Sequence, residues 1–218
     1  MLNLLKDHIS NSLPSETLVT NPNLPQKVDE TGKLLPFRGN TTVFLLDDGE
    51  KDQIAGLQAE LYAAVPEMLA EPLGIETFHM TLHDLVNGAS ATEENMARAE
   101  REAGKILQTF AGEAPIPMRG TWMFNMVDTS IVLGLEPVTE QAAFRLEKMY
   151  LALESVVPLG YGLTPHITLA YYRPGTYSPE QLAKLRQVLK PVEISVNLYA
   201  DRLVLQNFED MNHYITLS

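Results

Sequence analysis

The chain has 218 residues, with 28 acids against 16 bases and a formal net charge of −12 at neutral pH. That length gives one large domain or two packed lobes with a real core, and no apolar run approaches the roughly 20 residues that a membrane-spanning helix needs. The absence of cysteine excludes disulfides, thiolate catalysis and Cys-based zinc or iron–sulfur sites. The acidic balance argues against a long nucleic-acid duplex as partner, because such duplexes are held by neutralising many phosphates. A small phosphorylated substrate in a local pocket stays compatible with it.

In chain order, residues 1–40 hold Pro14, Pro22, Pro25 and Pro36 with little periodicity. They read as an extension, set at residues 1–37 and ordered only where it packs on the body. Its first eight residues lack the basic lead and apolar core of a secretory signal, so a cytoplasmic location without membrane attachment is expected. Residues 41–47 look like a buried strand. Ile54, Leu57, Leu61, Val65 and Met68 recur at helical spacing. A strand is expected over 77–86, a helix from about Thr92, and a strand over 115–126.

The same order then returns. Residues 130–136 form a strand after a hairpin turn at Asp128-Thr129, and Thr139 caps a helix carrying Leu146, Tyr150 and Leu153 inward. Residues 165–172 form a strand. Ser178-Pro179-Glu180-Gln181 is a capping box with proline at the first helical position. Val192, Ile194, Val196 and Leu198 alternate as in a strand, and two more strands fall near 203–206 and 214–217. Landmarks in the two halves keep offsets close to 87 residues, which reads as a repeat of architecture, with lobes of roughly 38–128 and 129–218 that can exchange strands.

That offset carries the chemistry. Phe78-His79-Met80-Thr81-Leu82 and Pro165-His166-Ile167-Thr168-Leu169 share the pattern His-apolar-Thr-Leu, 87 positions apart. In a strand, His79 and Thr81 point to one face and Met80 and Leu82 to the other. A pseudo-twofold axis between the halves would then bring two imidazoles and two hydroxyls together. Phosphodiester cleavage needs such a set. A neutral imidazole removes a proton, a protonated one donates to the leaving oxygen, and hydroxyls bind the non-bridging oxygens. No metal or other cofactor is demanded.

With its paired His-x-Thr motifs, the Thr-Pro-His-Ile-Thr-Leu form of the second, and β-α-β-α-β order in each half, the chain resembles the 2H phosphoesterase superfamily over residues 38–218. This superfamily includes bacterial 2′-5′ RNA ligase-like proteins and cyclic nucleotide phosphodiesterases. The resemblance implies an α+β fold: a two-lobed pseudo-symmetric body, each lobe an antiparallel sheet with two helices, and an active cleft between the lobes. It implies His79, Thr81, His166 and Thr168 as the active set. The expected activity is a phosphodiesterase acting on 2′,3′-cyclic phosphates or short 2′-5′ or cyclic oligonucleotides, with RNA ligation as the same chemistry reversed.

Other residues are weaker candidates. His83, four residues past His79, shares its face under strict alternation and lines the cleft, or joins His79 and His166 as a three-histidine metal site. By the same rule Tyr172, rather than Tyr171, shares the His166 face and could stack on a base. Arg173 is a candidate to meet a terminal phosphate, and Arg38, Arg119 and Arg202 are further candidates for the same role. Trp122 and Phe124 read as core, and Tyr214 matches an aromatic in the last strand of the family. Three readings stay open: a metal-independent phosphoesterase, a non-catalytic nucleotide-binding module, and a three-histidine metallohydrolase. The oligomeric state, and which histidine is acid and which base, are open too.

Overall fold

A computed structural model describes residues 13–217. Residues 1–12, including the first eight read as lacking a secretory signal, and Ser218 lie outside the described residues. Ten strands and four α-helices follow one another in the described chain: β1 (Leu18–Val19), β2 (Gly39–Leu45), α1 (Asp48–Ala64), β3 (His79–Asn87), α2 (Glu93–Gln108), β4 (Ile116–Met126), β5 (Ser130–Pro137), α3 (Glu140–Glu154), β6 (His166–Tyr171), β7 (Thr176–Tyr177), α4 (Pro179–Val188), β8 (Pro191–Leu198), β9 (Leu203–Asp210) and β10 (His213–Thr216). The fold is α+β and antiparallel. No helix among the described residues is long and apolar enough to cross a membrane.

Local chemistry sets the helix starts. Asp47 and Glu50 form a capping box on α1, and Ser178 and Gln181 form another on α4, with Pro179 at the first turn. Thr92 and Thr139 accept from the third amide of α2 and α3. Each such cap satisfies an orphan amide and is worth about 1 kcal/mol. Among the α-helices, α1 packs on α4 and α2 on α3, so each pair takes one helix from each half.

Eight strands join in one sheet of order β10-β9-β2-β3-β6-β5-β4-β8. The expected separate sheets are therefore continuous, joined where β3 meets β6 through the single pair Met80–Ile167. On either side of that seam the halves correspond, β2 beside β3 and β5 beside β6. The later strands cross over: β4 follows the first-half helix α2 but pairs with β5, while β9 returns to pair with β2. The core lies between sheet and helices, and Met80, Leu82, Ile167 and Leu169 are all fully buried in it.

Both central strands carry a β-bulge at the same place. Thr42 and Val43 face His83 and Thr81, leaving Leu82 as the extra residue; Ile131 and Val132 face Ala170 and Thr168, leaving Leu169 extra. A bulge breaks the two-residue alternation. Beyond it, His83 and Ala170 turn inward and Asp84 and Tyr171 outward.

Residues 13–37 pack closely on this body. β1 pairs with β7, and Leu18, Leu24, Val28, Leu34 and Phe37 are buried. Asn21 donates from its amide to the Asp128 carbonyl and from its side chain to that of Val127. Those two residues form the β4–β5 turn with positive φ of 46° and 58°, one position earlier than the turn expected at Asp128-Thr129.

Candidate active site

The antiparallel pair Met80–Ile167 fixes the register of both motifs. It sets His79 opposite Thr168 and Thr81 opposite His166 across the seam, so each imidazole has the other half's hydroxyl as neighbour. All four side chains line one cleft of about 700 Å³, a volume within the range for small-molecule sites.

The two rings are held alike. His166 Nδ1 lies 2.6 Å from the Thr164 carbonyl, and the His79 ring donates to the Thr77 carbonyl. Thr77 and Thr164 stand two residues before each histidine, so the shared pattern is longer than His-x-Thr: both strands read Thr-x-His-x-Thr-Leu. Donation from Nδ1 to a carbonyl selects the tautomer that leaves Nε2 free as acceptor. Burial disfavours the charged ring and pushes His79 down to about 4, against the opposing hydrogen bond to Thr77 and the charge of Asp84. His166 is lowered for the same first reason, with Thr164 and Asp84 again opposing. Tyr214 meets the His79 ring edge-on, with centroids 5.0 Å apart.

Three residues expected around the cleft are elsewhere in their interactions. Tyr172 is 0% exposed and packs on Tyr177; the bulge at Leu169 gives the cleft face to Tyr171 instead. His83 is 1% exposed, with Nε2 3.0 Å from a Glu154 carboxylate oxygen and Nδ1 2.5 Å from the Asp84 carbonyl. Both ring nitrogens are thus engaged, Nδ1 within β3 itself and Nε2 in joining that strand to the end of α3. His83 does border the cleft, as expected, but past the bulge at Leu82 its ring is committed to Glu154 and Asp84, so the three-histidine site lacks a free third ligand. Among the described residues no group of three or more metal-ligating side chains converges.

Arg173 does not line the cleft and donates from Nε to the Glu30 carbonyl, at 2.7 Å, pinning the extension. The other arginine candidates are also tied up: Arg38 pairs with Glu93 and Glu209, Arg119 with Glu136 and Arg202 with Asp47. Phe124 packs with Val132, Trp122 and Met126 in a small apolar cluster.

Sequence reasoning missed several cleft residues. Asp84 and Tyr171 reach it because of the bulges, and Tyr161, 60% exposed, stands on the loop between α3 and β6. Lys27 and Phe37 arrive from the extension. Only the repeated threonine at 77 and 164 had a signal in the sequence. The others depend on bulges and on long-range packing.

No family model and no curated protein matches the sequence. Solved structures do. A conserved protein of unknown function from Agrobacterium tumefaciens superposes with a TM-score of 0.68 at 18% identity, over 91% of this chain and 92% of that one. LigT of E. coli, crystallised with NADP+, gives 0.53 at 14% identity, over 84% and 96%. A phosphoesterase gives 0.52 at 15% identity, over 84% and 97%. The fold of this chain is the one these structures share, the two-lobed fold that the paired His-x-Thr motifs implied.

Proposed function

We propose that the protein is a metal-independent phosphodiesterase that opens 2′,3′-cyclic phosphates or cleaves short 2′-5′ or cyclic oligonucleotides. One observation carries this reading. Two Thr-x-His-x-Thr strands meet at a pseudo-twofold seam, each ring tied by its upstream carbonyl, within one cleft. E. coli LigT, which shares the fold, has been crystallised with phosphate, ATP and 3′-AMP. Those small phosphorylated ligands fit the substrate class that the charge of this chain favours.

With a cyclic phosphate, His79 acts as base and His166 as acid. His79 is the more strongly depressed of the two, and its imidazolium is opposed by the charges of His166 and Lys51. Neutral His79 takes a proton from water as the water oxygen bonds to phosphorus. The phosphorus–oxygen bond to ribose breaks, and protonated His166 supplies the departing oxygen with its proton. Thr81 and Thr168 donate hydrogen bonds to the non-bridging oxygens, where charge accumulates. Exchange of one proton with solvent resets the pair.

The test is turnover of a 2′,3′-cyclic nucleotide in the presence of a chelator, by the native protein and by His79→Ala and His166→Ala. Each variant should lose at least about 10²-fold in kcat. Native-like rates in either variant would overturn the paired mechanism. Tight binding without product in the native protein would make it a nucleotide-binding module instead.

A further inference from the structure

The cleft that holds the two histidines receives a single cation among the described residues, Lys27, and it comes from the extension rather than from either lobe. Its backbone is fixed: the Lys27 amide donates to the Leu24 carbonyl, the Leu35 amide donates to the Lys27 carbonyl, and Val28 beside it is fully buried. Its ammonium lies 4.7 Å from the centroid of Phe37 and 5.6 Å from that of Tyr171. Tyr171 ends the strand that begins with His166. Among the described residues no carboxylate forms an ion pair with Lys27, although the protein carries 28 acids and Arg38, Arg119 and Arg202 are all paired with one. Two aromatic faces hold the ammonium without neutralising it.

We infer that Lys27 is a substrate-binding residue that takes a second phosphate, beyond the one attacked, and so makes the extension part of the active site. This rests on the phosphodiesterase reading above. A buried or half-buried ammonium attracts an anion but cannot serve a neutral ribose or base equally well, since it only donates. The preferred substrate class is therefore a cyclic phosphate or short oligonucleotide that also bears a phosphomonoester or a neighbouring phosphodiester. Cyclic nucleosides with one phosphate are turned over less efficiently, because Lys27 then faces water.

The test compares adenosine 2′,3′-cyclic phosphate with the same compound carrying a 5′-phosphate, for the full chain and for Lys27→Met and Lys27→Arg. Methionine keeps the apolar stem against Phe37 and Tyr171 and removes the charge. The native protein should prefer the 5′-phosphorylated substrate by about ten- to a hundredfold in kcat/KM, mainly through KM, as a charged hydrogen bond gives. Lys27→Met should abolish that preference, lowering kcat/KM on the 5′-phosphorylated substrate at least about tenfold more than on the singly phosphorylated one, and Lys27→Arg should restore most of it. Added salt should shrink the preference in the native protein. Equal kcat/KM for the two substrates, or equal losses on both in Lys27→Met, would overturn the role of Lys27 and leave the phosphodiesterase reading standing. Failure of the native protein to turn over either substrate would overturn both.

Discussion

Acidification from pH 7.5 to 5.0 should cost this protein stability through His79 in particular. Burial holds that ring's pKa near 4 in the folded chain, whereas an unfolded histidine titrates near 6.5. Between those values the unfolded chain binds a proton that the folded chain refuses. The contribution is therefore complete above about pH 6.5, falls with pH through the window from 6.5 to 4, and is gone below it. At pH 5.0 the unfolded ring lies about 1.5 pH units below its midpoint, and at about 1.4 kcal/mol per unit the loss is about 2 kcal/mol. Urea unfolding of the native protein and of His79→Gln at both pH values isolates this amount, because the carboxylates and the other histidines act in both proteins. The native protein should lose about 2 kcal/mol more than the variant on acidification. Equal losses would refute the claim that burial keeps His79 neutral.

Other outcomes follow from the same site and its surroundings. With both histidines depressed and His79 further down, kcat/KM for a cyclic nucleotide should trace a bell with its optimum on the acid side of neutral; an optimum at pH 8 would contradict the assignment. Thr81→Val and Thr168→Val, which keep shape but remove the donor, should each lower kcat by about 10²-fold, with serine recovering most of it. His83→Ala should cost about 2 kcal/mol by unpairing Glu154 and leaving a void under β3, yet keep near-native kcat in folded protein; loss of kcat with native stability would give His83 a role in the chemistry. Val127→Asn should raise stability by about 1 kcal/mol, read as a higher urea midpoint, since Val127 is β-branched, exposed, and held at φ 46°.

How far the sequence could be followed depended on range. The His-x-Thr strands, the helix caps at Thr92, Thr139 and Ser178, and the repeated order of elements are local patterns, and they lie in the structure where their spacing puts them. Alternation was safe for the first three residues of each motif. It failed after Leu82 and Leu169, because a bulge is set by the partner strand and has no marker in the strand that carries it. That one irregularity buried Tyr172, tied the cleft-bordering His83 to Glu154, and hid Tyr171 and Asp84. The short pairing of β1 with β7 was illegible too: two-residue strands have no periodicity to detect, and their partners lie more than 150 residues apart. Lys27 reaches the cleft for the same reason.

The extension touches both sides of the seam. It pairs with β7, grips the β4–β5 turn through Asn21, receives Arg173 on Glu30, and donates from the Phe37 amide to Glu209 on β9. A brace with feet on either half restrains hinge-like opening. The spacing between the imidazoles is accordingly set before any ligand arrives, and entry falls to side chains and loops at the rim, such as Tyr161, rather than to a swing of whole lobes.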